Sequence, residues 1–141
     1  MPLFSLICSV FAARVITVAI KSGWNCYGVA VGVPSTNIVI RNLTVVSPTS
    51  AGVCIGSEMS GGVSNVHVSS STFRNCGTGI RIKSGRPRGG YVKNITYRDI
   101  EVIGSNSAAI MINAFYGGAP LGCPLVQKYR VSHREIMIDS G

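Results

Sequence analysis

The sequence predicts an all-β protein whose chain winds into a parallel β-helix, a solenoid of about four coils. The first observation is composition: the 141 residues include 17 Val and 15 Ile but only 5 Leu, a balance that favours strands over helices. The second is a set of short apolar runs that alternate with period two and are separated by Gly, Ser, Thr and Asn. The third is an internal repeat whose period lies in the range typical of stacked coils.

The repeat occurs in two independent series. Four segments align without gaps and recur at similar intervals: VITVAIKSG (15–23), SAGVCIGSE (50–58), GTGIRIKSG (77–85) and SAAIMINAF (107–115). Between them, three similar segments begin at Asn37, Asn65 and Asn94, at nearly equal intervals along the sequence. Because one such unit cannot bury its apolar face alone, stacked units must share a core. We expect the three asparagines to form a structural stack at a corner.

The alignment also separates inward from outward positions. The inward columns are apolar: Val18, Val53, Ile80 and Ile110 in one, and Ile20, Ile55, Ile82 and Ile112 in the other. The outward columns and the loop that follows them carry the basic residues Lys21, Arg81, Lys83, Arg86, Arg88 and Lys93. Since successive strand residues point to opposite faces, the first three of these are predicted to face solvent. The basic residues either line a groove for a linear polyanion or merely keep the sheet surface solvated.

Charge narrows the possible functions. The chain has 13 Lys and Arg against 5 Asp and Glu, a net charge of +8, and its 46% hydrophobic residues exclude a disordered chain. The surplus suggests a polyanionic partner, either nucleic acid, an anionic lipid surface or an acidic polysaccharide, unless the protein is simply basic. Few positions can supply a carboxylate: Glu58, Asp99, Glu101, Glu135 and Asp139. A mechanism that needs clustered carboxylates therefore has little to draw on.

The two ends of the chain match the repeat least. Residues 1–14 form an apolar segment, either a weak signal-like sequence or a foreign or miscalled start, and residues 127–141 form a poorly matching tail. We therefore expect the β-helix over 15–126. No stretch is long and apolar enough for a transmembrane helix, so no membrane partner is expected.

The cysteines give no support for a metal site. There are five, an odd number, and no CxxC pair, so neither a metal nor a cofactor is expected. One disulfide is possible in a secreted protein, but the sequence leaves its pairing open. Two sequons, at Asn42 and Asn94, accept N-glycans only in that same context.

Three longer strings carry a resemblance to a known family: GVPSTNIVIRNLT (32–44), SPTSAGVCIGSEMSGGVSNVHV (47–68) and TGIRIKSGRPRGGYVKNITY (78–97). They are similar to the plant polygalacturonase-like proteins of glycoside hydrolase family 28, and the similarity runs from about Val15 to Cys123. The resemblance implies a right-handed parallel β-helix, here truncated by the loss of N-terminal coils. It also implies hydrolysis of α-1,4-galacturonan (pectin) with inversion, and a secreted or cell-wall location.

The family's catalytic positions are not filled in this chain. The resemblance places its Asp-Asp pair on Val15 and Ile16 and its histidine on Ala51, and the Asn-Thr-Asp coil that should precede them has no counterpart. No catalytic residue is therefore expected. Glu58, in GSEMSGG, could be proposed as a substitute acid, but a structural or substrate-contacting role is favoured. A partial, inactive member of the family fits these gaps.

The family's substrate-binding residues, in contrast, persist. The resemblance implies such a role for Arg81 and Lys83, which keep the Arg-Ile-Lys motif, and for Lys21 and Tyr116. Arg pairs with the carboxylates of uronate sugars in a bidentate manner. The expected partner is therefore an acidic polysaccharide, bound by a monomer.

Two functional hypotheses follow. One is a polygalacturonase-type glycosidase, and the other is a non-catalytic acidic-polysaccharide-binding β-helix. Both predict salt-sensitive binding to polygalacturonate, and only the first predicts turnover. Nucleic-acid binding is not expected, because Trp24, Phe73 and the tyrosines are not interleaved with the basic residues.

Overall fold

A computed structural model of the protein describes residues 4–12, 18–85, 88–117 and 132–139, with side chains described from Val18 onward apart from 132 and 134. All nine strands in these ranges lie in two parallel sheets. The long-strand sheet has the order β1 (Phe4–Ala12), β3 (Ser35–Val46), β5 (Val63–Arg74), β7 (Tyr91–Ile103) and β9 (Ser132–Asp139). The short-strand sheet has the order β2 (Val18–Ile20), β4 (Ala51–Gly56), β6 (Thr78–Lys83) and β8 (Ala108–Asn113). The chain alternates between the sheets as a right-handed parallel β-helix, which confirms the predicted fold class.

The short-strand sheet reproduces the predicted columns residue by residue. Val53 pairs with Val18 on one side and Ile80 on the other, and Ile55 pairs with Ile20 and Ile82. The side chains of the middle strands β4 and β6 in these columns are at most 1% exposed. Each such aliphatic side chain stabilises the fold by about 1.5 to 3 kcal/mol on burial. The repeat in the sequence therefore corresponds to the pairing register of the strands in this sheet.

Each of the long strands β3, β5 and β7 bends once, so these coils have three sides. In β3 the buried positions advance by two up to Ile40, and then the next buried residue is Leu43, three positions on. Asn42, between them, has a left-handed φ of 56°. Ser70 in β5 and Asp99 in β7 occupy the same place with φ values of 48° and 52°. One left-handed residue shifts the alternation and turns the chain, so both halves of the strand face the same core.

The predicted asparagine stack is present at the start of the long strands. Asn37, Asn65 and Asn94 have φ values of 57°, 53° and 51°, in the left-handed region that Asn tolerates better than most residues. Asn94 Nδ2 donates to Asn65 Oδ1 at 2.6 Å, and Asn65 Nδ2 donates to Asn37 Oδ1 at 3.2 Å. The asparagine side chains thus form hydrogen bonds from coil to coil, alongside those of the backbone.

A short helix, which the sequence did not predict, interrupts one coil. α1 (Asn25–Val31) lies between β2 and β3 and ends at Gly32, whose left-handed backbone lets its N–H donate to the Gly28 carbonyl at 3.0 Å. This inserted helix explains why the first interval of the repeat is longer than the next two. A Cβ at Gly28 would lie 2.7 Å from the Gly23 carbonyl carbon and 2.8 Å from Ser60 Cβ, so only glycine permits this close packing.

Strands of the long-strand sheet also lie near both ends of the chain. β1 pairs in parallel with β3, and β9 pairs in parallel with β7, so residues 4–12 and 132–139 extend the long-strand sheet at its two edges. The sequence of β1, FSLICSVFA, lacks an asparagine. In β9, Glu135 is the residue aligned with Asn94. The two are farther apart in the sequence than successive asparagines of the stack are. Neither strand therefore fits the asparagine spacing.

No helix in the described ranges is long and apolar enough to cross a membrane.

The cysteines whose side chains the structure describes are of two kinds. Cys26, in α1, is disulfide-bonded, while Cys54 and Cys76 are buried free thiols. The sequence allowed one disulfide and left its pairing open.

The asparagine stack should contribute measurably to stability. Asn65→Ala removes the hydrogen bonds to both neighbouring asparagines, each worth about 1 kcal/mol, and places alanine at a left-handed φ that costs roughly 1 to 2 kcal/mol more. We expect the free energy of unfolding, from urea denaturation, to fall by about 3 kcal/mol. Asn65→Gly is the matched control, because glycine accepts the backbone but not the hydrogen bonds, and it should lose about 2 kcal/mol. Equal losses in the two variants would contradict a backbone contribution.

His133 makes stability depend on pH. Its Nε2 lies 3.2 Å from Ser84 Oγ, and burial lowers the pKa of His133 below its ordinary 6.5. Below pH 6.5 the unfolded chain therefore takes up a proton that the folded protein resists, so stability is full above this pH and declines as pH falls. We expect His133→Gln to remove that component between about pH 7 and 5, measured by urea denaturation. A folded pKa above 6.5 by NMR titration would contradict this.

Candidate functional site

The outer face of the short-strand sheet gathers three cations from two coils. Arg81 and Lys83 lie on β6, one on each side of an inward isoleucine, and Lys21 follows directly after β2. Small residues stand next to the cations on β4, with Cys54 paired to Arg81 and Gly56 paired to Lys83. Lys21 and Lys83 belong to one column, two strands and therefore roughly 10 Å apart, with Gly56 between them.

Tyr116 covers the two cations of β6. Its backbone N–H donates to the Ser84 carbonyl at 2.7 Å, which fixes the segment after β8 beside the end of β6. The centre of its ring lies 4.6 Å from Lys83 Nζ and 5.3 Å from Arg81 Cζ. Each such contact between a cation and an aromatic ring is worth about 0.5 to 2 kcal/mol. The structure thus brings three of the predicted site residues into contact; with Lys21 on the same face, the four form what we call the cationic cleft.

Lys83 is more enclosed than the sequence indicated. The prediction that it faces open solvent is wrong: it lies on the outer face, but only 8% of it is exposed. The ring of Tyr116 accounts for part of this cover. Among the described residues no carboxylate pairs with Lys83. Arg81 Nε, beside it, is buried without a hydrogen-bond partner among the described residues. Since a buried polar group is costly without a partner, the cleft is suited to an anion.

Lys21, in contrast, has a partner. Its Nζ lies 2.5 Å from Glu58 Oε2, and the backbone N–H of Ser22 donates to the Glu58 carbonyl at 2.8 Å. Burial alone would raise the pKa of Glu58, but the hydrogen bond and charge of Lys21, together with the charge of Arg88, hold it below its ordinary 4.5. Glu58 is therefore an ionised carboxylate near neutral pH and has no proton to donate.

The thiol at the centre of the cleft is inert. Cys54 is fully buried, and burial raises its pKa above the ordinary 9.0, although the charges of Lys83, Arg81 and Lys21 act in the opposite direction. A protonated, inaccessible thiol is neither a nucleophile nor a metal ligand. In the part of the chain that the structure describes, no three His, Cys, Asp or Glu side chains converge to hold a metal ion.

Aromatic rings contact the basic residues more often than the sequence indicated. The expectation that the aromatic residues do not cluster with the basic residues is wrong. Tyr116 covers Arg81 and Lys83. The Arg88 guanidinium carbon lies 4.3 Å from the Trp24 ring centre, and Lys93 Nζ lies 5.1 Å from the Tyr91 ring centre. Most of these partners are distant in sequence or lie on different coils. The spacing of residues along a single strand does not reveal contacts between residues on different coils.

Arg88 is also not the solvated loop residue of the predicted basic groove. It is 7% exposed, and its Nη1 donates to Asn25 Oδ1 at 3.3 Å. Lys93 lies on β7, in the other sheet, and Arg86 falls outside the described residues. The basic face therefore consists of the cationic cleft with Arg88 beside it.

Carboxylates are scarce at this face. All five acidic side chains of the sequence are described, and only Glu58 is adjacent to the cleft. The other four lie on the long-strand sheet, on β7 and β9: Asp99, Glu101, Glu135 and Asp139. Ala51, where the resemblance was expected to place the family's histidine, is fully buried in β4. Val15 and Ile16 lie outside the described residues.

Known proteins are similar to this chain in sequence and in fold. The chain is 53% identical over 81 residues to a probable polygalacturonase of Vitis vinifera, covering 57% of this chain and 16% of that protein. It is 36% identical over 108 residues to a polygalacturonase of Juniperus ashei, covering 74% of this chain and 20% of that protein. The crystal structure of a hyperthermoactive exopolygalacturonase from Thermotoga maritima superposes with a TM-score of 0.73 at 36% identity, over 83% of this chain and 27% of that one.

The chain thus spans about a sixth to a fifth of the length of the relatives it matches. The family model for glycosyl hydrolases family 28 matches residues 11–132, which include the strands β2 to β8 and the whole cationic cleft. On this match, and on the parallel β-helix that accompanies it, the chain belongs to glycosyl hydrolases family 28.

Proposed function

We propose that this chain forms galacturonan-binding coils of a polygalacturonase-type glycoside hydrolase that degrades pectin. The observation that carries the proposal is the cationic cleft, where Arg81 and Lys83 lie under Tyr116 without a carboxylate partner among the described residues. Galacturonan carries one carboxylate on each sugar, so it can supply the missing negative charge. The names of the similar proteins point to the same polymer.

Each cleft residue has a distinct part in holding a uronate. The Arg81 guanidinium presents paired N–H groups that match the two oxygens of a carboxylate. Lys83, only 8% exposed as a residue, adds a point charge at a partly enclosed position, where attraction to an anion is stronger than at an open surface. Lys21, two strands away, can meet a second negative group along the polymer if Glu58 releases it. Tyr116 offers a ring against which a sugar can pack.

Cleavage requires more than the described residues provide. An inverting glycosidase uses one carboxylic acid to protonate the leaving oxygen and one carboxylate to activate water. A single carboxylate, Glu58, lies beside the cleft, and its lowered pKa makes it a poor acid. We infer that the chain by itself binds galacturonan and does not hydrolyse it. The alternative, a non-catalytic acidic-polysaccharide-binding β-helix, rests on this same scarcity of carboxylates.

A secreted or cell-wall location fits the proposal. The disulfide at Cys26 is of the kind that persists in oxidising compartments. We propose an acidic polysaccharide as the partner, bound by a monomer.

Arg81 is expected to dominate affinity. Isothermal titration of hexagalacturonate into Arg81→Ala should show roughly ten- to hundredfold weaker binding than wild type, the range for losing hydrogen bonds to a charged group. Arg81→Lys should recover only part of the loss, because it keeps the charge without the paired geometry. Wild-type affinity should fall as salt rises from about 50 to 300 mM, since Coulombic attraction is screened.

Arg41 supplies the matched control. It is an exposed arginine on β3, in the other sheet, so Arg41→Ala removes the same charge away from the cleft. We expect its affinity for hexagalacturonate to remain close to wild type. Equal losses in the Arg41 and Arg81 variants would show that net charge alone governs binding, contrary to the proposal.

The purified chain is expected to release no reducing ends from polygalacturonate above the buffer level. The physical reason is that the cleft holds one carboxylate where an inverting mechanism needs two. A colorimetric reducing-end assay measures this, with an active polygalacturonase as positive control. Release that disappears in Glu58→Gln would identify Glu58 as catalytic and overturn the inference.

A further inference from the structure

Trp24 is a half-exposed aromatic ring next to the cationic cleft. It is the single tryptophan of the chain, and it lies between β2 and α1 with 50% of its surface exposed. Shortly before it in the sequence stands Lys21, a member of the cleft. A tryptophan that only filled the core would be buried. Half of the Trp24 surface instead remains open to solvent, where a ligand can reach it.

One face of that ring is held by a buried cation. The guanidinium carbon of Arg88 lies 4.3 Å from the ring centre, and Arg88 itself is 7% exposed. Its Nη1 donates to Asn25 Oδ1 at 3.3 Å, and its backbone N–H donates to the Gly85 carbonyl at 2.9 Å. A side chain fixed in this way also fixes the ring stacked on it. Pre-organised rings bind ligands at lower entropic cost.

Arg88 also connects Trp24 to the cleft. Gly117 directly follows Tyr116, and a Cβ placed on Gly117 would lie 3.1 Å from Arg88 Nη2. A Cβ placed on Gly85 would lie 3.6 Å from Arg88 Cγ and 2.5 Å from the Tyr116 carbonyl oxygen. Arg88 therefore lies close to the segment that carries Tyr116. On the other side, the charge of Arg88 contributes to the lowered pKa of Glu58, the partner of Lys21. Trp24 therefore stands at the rim of the cationic cleft, on the Arg88 side.

We propose that Trp24 is an aromatic platform for a sugar ring of a polyuronate, at a position neighbouring the sugar held by Arg81 and Lys83. This inference rests on the proposed function. A galacturonate ring has one face rich in C–H groups, and it carries its carboxylate at the edge. The C–H face stacks on the open side of the indole, while Arg88, behind the indole, keeps the ring in place and adds positive charge.

The neighbouring exposed aromatic provides a contrast. Tyr27, on α1, is 64% exposed, more than Trp24, and no cation is stacked on its ring among the described residues. Exposure alone does not distinguish the two. The difference is that Trp24 is fixed by a buried guanidinium that reaches the cleft.

The single tryptophan makes the test direct. Hexagalacturonate is titrated into the full chain, and binding is followed both by Trp24 emission and by isothermal titration calorimetry. We expect the emission to change and to saturate with the same dissociation constant as the heat. By calorimetry, Trp24→Ala should weaken binding by about two- to twelvefold, the range for losing one aromatic stacking contact. Trp24→Phe should retain part of the affinity, and Tyr27→Ala should bind as wild type.

The outcomes separate this inference from the proposed function. If hexagalacturonate binds by calorimetry but the emission of Trp24 does not change, or if Trp24→Ala binds as tightly as wild type, the platform is refuted and the cleft remains. If wild type shows no heat of binding, the proposed function itself fails. Circular dichroism of Trp24→Ala must match wild type, and if it does not, Trp24→Phe and the wild-type emission decide the question.

Discussion

The parallel register between coils is the constraint on which the rest of the structure depends. Each residue of one coil lies directly beside its counterpart in the next, so a column has one environment from end to end. Apolar columns fill the interior with like side chains, and the asparagine column links long strands through its own amide groups. A shift of one residue would expose every interior side chain of a strand. The register therefore specifies the core and the outer face together.

The same constraint places the cations of the cleft. Because Ile82 must face inward, the residues on either side of it must face outward, and Arg81 and Lys83 are held on the same face of a strand that is paired on both sides. A strand of this kind is a rigid mount for a binding group. Turns contribute differently: Tyr116 comes from the segment after β8 and Trp24 from the segment before α1. The site thus combines fixed charges on strands with aromatic rings on the connections between them.

The electrostatics of the cleft favour binding over acid–base chemistry. Its cations exceed its carboxylates, and the one carboxylate beside it is kept ionised by Lys21. Burial keeps the Cys54 thiol protonated in the middle of these charges. A polyanion entering the cleft would replace water around cations that have few negative partners of their own. Proton transfer, in contrast, needs a group whose pKa lies near the working pH.

The sequence by itself determined the fold class, the inward and outward columns and the asparagine stack, because these follow from period and register, which are properties of the linear chain. It also placed Arg81 and Lys83 side by side on one outer face. Only the tertiary structure decided that Lys83 is buried under Tyr116, that Glu58 pairs with Lys21 and that Arg88 holds Trp24. These contacts join residues that are far apart in the sequence, through turns and a helix that follow no repeat. The strands β1 and β9 likewise needed the structure, since their sequences lack the asparagine that marks the other coils.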